Sequence, residues 1–171
     1  MEPIMRLQDE LQITKPLAPG HEVALALLLT REYVARLFEQ GLYGPAGLSD
    51  QQFNVLRILK GGPRSGYLVK EIRCRMIFRF ADVPRLVNRL EAQGLAVRCE
   101  NPTDRRGSRV QITAKGLALE ARLHGRHDEL CRQVDRALTE AERSQLLDLL
   151  ERLRNDHRAQ LKAMGTAEGP A

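Results

Sequence analysis

The sequence predicts a mainly α-helical chain with a small β component (α+β), and three observations carry that expectation. Apolar residues recur at helical spacing over most of the 171 residues. Two short alternating stretches, LAVRCE at 95–100 and RVQIT at 109–113, flank the turn-rich NPTDRRGS and read as a hairpin. The order is two short helices, then this ribbon with a basic tip, then two long helices. Taken together it is the order of a winged helix-turn-helix module with helices added at both ends.

Residues 3–12 are compatible with a short helix that KPLAPG ends through Pro16, Pro19 and Gly20. From His21 to Gln40 the pattern is helical, with Leu27, Val34, Leu37 and Phe38 along one stripe, and Gly41, Gly44, Pro45 and Gly47 are expected to break it. The next helix starts on a capping-box signature, Ser49 followed three residues later by Gln52. It stops at Gly61-Gly62-Pro63, with Phe53, Leu56 and Leu59 or Lys60 on its buried side. YLVKEIRCRM follows as a short helix carrying Leu68, Ile72 and Met76. ADVPRLVNRLEAQG then places Val83, Leu86, Val87 and Leu90 on one stripe, leaving Asp82, Arg85, Asn88 and Arg89 on the other side. Pro84 belongs in a first turn, so this helix should begin near Phe80 to Asp82. After the ribbon, one long helix runs from Ala114 to about Leu138, with Leu123, His127, Leu130 and Val134 in line. A second opens on the capping box Thr139–Glu142 and carries Leu146, Leu149, Leu150, Leu153 and Leu161.

The expected division is a 1–20 extension, helical dimerisation segments at 21–46 and 114–163, a winged helix-turn-helix module at 47–113, and a disordered tail at 164–171. The terminal helices are apolar on more than one side, which a solvated monomer does not favour, so a two-fold dimer is the simplest partner arrangement.

Charge is concentrated in the middle. The chain carries +5 overall, yet 64–115 holds twelve Lys/Arg against five Asp/Glu, which leaves the remainder slightly acidic. That distribution points to a polyanion such as double-stranded DNA. A membrane partner is not expected, since the longest apolar run is VALALLL at 23–29 and a membrane helix needs roughly 20 residues. MEPIMRLQDE lacks the features of a secretory leader. The three cysteines, Cys74, Cys99 and Cys131, are odd in number and far apart. Reduced thiols and a cytoplasmic location are therefore expected.

The densest basic feature is the hairpin tip, where Arg105, Arg106 and Arg109 crowd around the turn beside Asp104. A ribbon of this width can lie along a DNA backbone and send one guanidinium into the minor groove, where the potential is most negative. Asp104 fits as a brace, because fixing a long side chain beforehand lowers the entropy lost on binding. A surface hairpin with an incidental ion pair is the plain alternative. On the helix before it, Arg85, Asn88 and Arg89 face base edges or phosphates by geometry. Arg79 is placed to meet a phosphate, with Arg73 and Arg75 as further options.

These stretches also carry a resemblance. DRRGSRVQIT is similar to the wing pattern of the MarR family, with Asp104, Arg106, Ile112 and Thr113 in register. DVPRLVNRLEAQGL resembles that family's recognition helix, LSDQQFNVLRIL its second helix, and TAKGLAL the start of its fifth. The likeness spans about residues 20–160 in the right order. It implies a homodimeric winged-helix transcription regulator, commonly a repressor, that binds a pseudo-palindromic operator and is released by a small aromatic or phenolic effector. It further implies Arg106 as the minor-groove arginine and Asp104 as the acid orienting it. Two positions depart from the pattern. Pro84 stands where a hydroxyl residue is usual, and Asn88 where an acid is usual, so sequence preference does not transfer by analogy.

For the input signal, a small organic effector between the dimerisation helices and the DNA-binding module is expected, with Arg31, Tyr33 and Arg36 as contacts for an anionic aromatic ligand. HGRHDELC sets His124, His127, Asp128 and Cys131 at helical spacing, so His124, His127 and Cys131 are weighed as metal ligands. A packed histidine is the more frequent use of such a position, and no metal or other cofactor is expected. A redox- or metal-responsive regulator, or an architectural or protein-interaction winged helix without sequence specificity, are the alternatives considered. Catalysis is not expected: no nucleophile–base pairing or phosphate-cradling glycine loop occurs.

Overall fold

The structure is a computed structural model and describes residues 5–100 and 108–165. In chain order the helices are α1 (Leu7–Glu10), α2 (Pro19–Phe38), α3 (Asp50–Lys60), α4 (Val69–Arg75), α5 (Val83–Ala92), α6 (Ala114–Val134) and α7 (Glu140–Ala163). The strands are β1 (Tyr67–Leu68), β2 (Ala96–Glu100) and β3 (Ser108–Ile112), in one antiparallel sheet ordered β1-β3-β2. The architecture is thus mainly α with a small sheet.

Three expectations about elements need correction. The sheet has three strands, not two: Tyr67 and Leu68 pair with Val110 and Arg109 instead of opening α4. A two-residue strand has no periodicity of its own and is created by a distant partner, so local pattern reading assigns it to the helix that follows. The expected break at Gly41 is also displaced. After α2 the chain continues as a π turn over Glu39–Tyr43 and a 3-10 turn over Gly44–Ala46, and Gly47 with φ 67° ends it. Gly41 serves close packing: a Cβ there would lie 3.1 Å from a methyl of Leu130 in α6. The expected helix at 3–12 is a single turn, α1.

The start of α3 follows the sequence signature closely. Ser49 Oγ accepts from the Gln52 amide at 3.2 Å while Gln52 Oε1 accepts from the Ser49 amide at 3.0 Å. Thr139 and Glu142 repeat the box at α7, with the Thr139 N–H holding the Glu142 carboxyl below its ordinary range. Thr113 caps α6 by accepting from the Gly116 amide.

One core gathers these elements. Phe53, Val55, Leu56 and Leu59 of α3 meet Ile72, Met76, Val83, Leu86, Val87, Leu90 and Val110, with Leu42 and Leu130 joining from the π turn and α6. Each such side chain contributes about 2 kcal/mol by leaving water. Lys60, offered as an alternative to Leu59 on the buried side, is exposed and reaches the carboxylate of Glu120, which is only 2% exposed. The contrast lies outside this core: among the described residues no side chain of α2 or α7 is buried.

Candidate DNA-binding surface

The exposed side of α5 is produced by its buried side. Val83, Leu86, Val87 and Leu90 are each 5% exposed or less, which leaves Arg85, Asn88 and Arg89 turned to solvent. Asp82 is the N-cap: its Oδ1 accepts from the Arg85 amide at 3.1 Å, and Pro84 occupies the second helical position, where its missing N–H costs nothing. The helix thus begins at Val83, one residue beyond the Phe80–Asp82 range expected from the sequence. Arg79 stands in the turn before it, exposed, with Nη1 donating to the Cys74 carbonyl at 3.0 Å.

Asn88 is held by a residue that the sequence alone did not single out. Arg98 of β2 donates from Nη2 to Asn88 Oδ1 at 2.7 Å, and its Nη1 is ion-paired to Glu91. The Arg98 amide also donates to Glu91 Oε1 at 2.8 Å. Arginine is all donor, so the amide oxygen of Asn88 must face it, leaving the amide N–H groups free to point outward. The exposed face of α5 is thereby tied to the sheet. Only the tertiary pairing of β2 beside α5 exposes this link, since ten residues separate the two partners.

Arg109, expected at the DNA, is engaged within the module. Its guanidinium turns back on the module, with Nη2 donating to the Gly66 carbonyl at 2.7 Å and lying 3.4 Å from Glu71 Oε2. Its side chain is 19% exposed. Its partner strand explains this, because Leu68↔Arg109 pairing brings the β1 turn beneath the side chain. Arg75 is likewise engaged, stacked 4.3 Å from the centre of the Tyr67 ring. Asp104, Arg105 and Arg106, with the turn that carries them, lie outside the described residues, as does the tail from 166.

The sensor candidates fall into two places. His127 packs between Phe38 and Phe53, with ring centroids 5.7 and 5.6 Å away. Its Nε2 accepts from Arg57 Nη1 at 2.8 Å, so Nδ1 carries the proton and donates to Asp128 Oδ1 at 3.3 Å. Burial pushes the neighbouring Tyr43 hydroxyl up to about 12. His124 faces Glu120 and Asp128 instead. Among the described residues no group of three or more His, Cys, Asp or Glu is placed to hold a metal. The Cys131 sulfur lies 3.6 Å from His127 Nδ1, and desolvation raises its thiol pKa, which disfavours the reactive thiolate. Tyr33 lines a cleft of about 210 Å³ with Met5, Leu7, Glu10, Ala26, Leu29 and Thr30, and its hydroxyl donates to Glu10. Arg31 and Arg36 are not in that lining, and Arg36 is paired with Glu32 at 2.8 Å.

A family model described as the MarR family matches residues 46–107, the stretch that holds α3, α4, α5 and β2. Over that stretch the chain resembles the MarR family. The curated relatives it matches are described as an operon repressor and a putative transcriptional regulatory protein. The chain is 27% identical over 129 residues to the homoprotocatechuate degradative operon repressor of Escherichia coli, an alignment covering 75% of this chain and 85% of that one. Its fold resembles a MarR variant from Escherichia coli solved with operator DNA, with TM-score 0.70 and 23% identity over 80% of this chain and 99% of that one. It also resembles the Bordetella bronchiseptica regulator BpsR, whose DNA binding is regulated by 6-hydroxynicotinic acid. There the TM-score is 0.68, with 23% identity over 78% and 98% of the two chains. Among the described residues, no helix is long and apolar enough to cross a membrane.

Proposed function

We propose that the protein represses transcription by binding a pseudo-palindromic operator as a homodimer, through Arg79, Arg85, Asn88, Arg89 and the wing residues Asp104, Arg105 and Arg106. The observation that carries this reading is the outward face of α5: two arginines and an oriented amide mounted on a fully buried stripe. A helix so mounted presents the same side chains in the same places on every encounter, which base readout requires. Two copies related by a two-fold axis would set half-sites about 10 bp apart. Arg109 has another task, bracing β1 against β3, and the groove contact falls to Arg106.

The dimer itself is supported by the unburied apolar faces of α2 and α7. Val23, Leu27, Leu28, Leu146, Leu147 and Leu149 are between 39% and 63% exposed in the single chain. Such a surface exceeds what a solvated monomer tolerates and is the material of an obligate interface. Release by a small aromatic or phenolic effector is supported by the relative that responds to 6-hydroxynicotinic acid. The cleft between α1 and α2, with Tyr33 in its wall, is the place offered for it. A cytoplasmic location accords with this reading of action on DNA.

The wing assignment is tested by salt titration of DNA binding. Arg106→Ala should weaken binding to every sequence and lower the slope of log affinity against log salt by about one unit. Asp104→Ala should also weaken binding, although it removes a negative charge. Tighter binding by Asp104→Ala would replace the brace with simple repulsion, and an unchanged Arg106→Ala slope would remove the wing from the interface.

A further inference from the structure

Two large apolar side chains stand out in solvent at the turn that leads into α5. Phe80 is 88% exposed and Ile77 is 77% exposed. Their neighbours alternate with them: Met76 is buried and Phe78 packs on the core, so the turn is anchored through one set of side chains and displays the other. The anchoring is specific, since the Ile77 amide donates to Asn54 Oδ1 of α3 at 3.0 Å and the Ala81 amide to the Phe78 carbonyl at 3.2 Å. A benzyl group left this bare on an ordered turn has no folding purpose within the chain. Its surroundings carry positive charge, with Arg79 beside it and Arg85 in the first turn of α5, both exposed. That setting suits a polyanion with an apolar feature and does not suit an apolar protein surface.

We infer that Phe80, supported by Ile77, packs against thymine 5-methyl groups in the major groove and gives the protein a thymine preference at one symmetric pair of operator positions. The reasoning rests on the DNA-binding reading above. In a helix-turn-helix the N-terminal end of the recognition helix lies nearest the base edges, and Phe80 sits two residues before the N-cap Asp82. Thymine alone among the bases presents a methyl group there, and aromatic or aliphatic side chains are its ordinary partners. The arginines fix register through phosphates and guanine edges, and the apolar pair reads a position they cannot. Pro84, which has no hydroxyl to offer DNA, shifts readout at this end of α5 on to the turn before it.

The test begins by selecting high-affinity duplexes from a random-sequence library with the full-length wild type and with Phe80→Ala. Phe80 is almost wholly exposed, so the substitution leaves the fold intact, and Phe80→Leu serves as the conservative control. Thymine should be enriched at a symmetric pair of positions with wild type and with Phe80→Leu, and not with Phe80→Ala. The most enriched duplex is then rebuilt with deoxyuridine at those positions, which deletes only the methyl. Wild type should bind it about fifteenfold more weakly, the value of two buried methyls, one in each half-site, whereas Phe80→Ala should not distinguish the two. Equal discrimination by wild type and Phe80→Ala, or none by wild type on duplexes that it does select, overturns the methyl contact and leaves the regulator reading standing. Failure of wild type to select any duplex removes both.

Discussion

Leu146→Glu combined with Leu149→Glu is expected to give a folded monomer whose operator affinity is lower by about 10²–10⁴-fold. Both side chains lie on α7, three residues apart and therefore on one face, and both are more than 40% exposed in the single chain. Glutamate at these positions costs the isolated chain little, because no residue of α7 is buried there. In a two-fold interface it would place four carboxylates against apolar surface, and burying a charge there costs several kcal/mol. The dimer then dissociates, and each recognition helix binds its half-site alone. The large factor is the lost effective concentration of the second half-site, not any lost contact. Molar mass by light scattering, helicity by circular dichroism and affinity by anisotropy measure the three parts. A dimer of unchanged mass and affinity would move the interface away from α7.

Gly66→Ala should destabilise the DNA-binding module by about 3 kcal/mol, the upper range for a single substitution with a backbone clash. Gly66 has φ 76°, and a Cβ there would lie 2.3 Å from the carbonyl oxygen of Val110. The left-handed conformation alone costs an alanine roughly 1–2 kcal/mol. The clash adds more, because the atom it meets is backbone of β3 and cannot rotate aside. Relief requires β1 to move off β3, which removes the carbonyl that receives Arg109. A lower denaturation midpoint with weakened DNA binding is the expected pattern. Stability within about 0.5 kcal/mol of wild type, the range of an ordinary surface substitution, would contradict the β1–β3 pairing.

How much of this was legible beforehand depended on whether the relevant interaction was local. The stripe Val83, Leu86, Val87, Leu90 could be read because helix periodicity acts within one or two turns. The Ser49–Gln52 and Thr139–Glu142 boxes were legible for the same reason. Strand β1 was not, since Tyr67 and Leu68 become a strand only through Val110 and Arg109, over forty residues away. The function of Arg109 was lost with it: three neighbouring arginines look alike as charge, and the carbonyl that engages one of them belongs to another element. Arg98 was missed because its partners Asn88 and Glu91 lie on a helix beside it in space only. His127 was read as a position on a stripe. Its setting between Phe38 and Phe53, from two other elements, identifies it as a packed residue.

The central claim is that this module reads sequence and does not only grip backbone. Selection of purified full-length protein against sheared genomic DNA from its own source, at low and at moderate salt, tests it most directly. Recovery of a common inverted repeat that survives the higher salt, with half-sites about one helical turn apart, is the expected result. Recovery of no shared sequence, with binding lost as salt rises, would contradict it and leave only electrostatic attachment to the phosphate backbone.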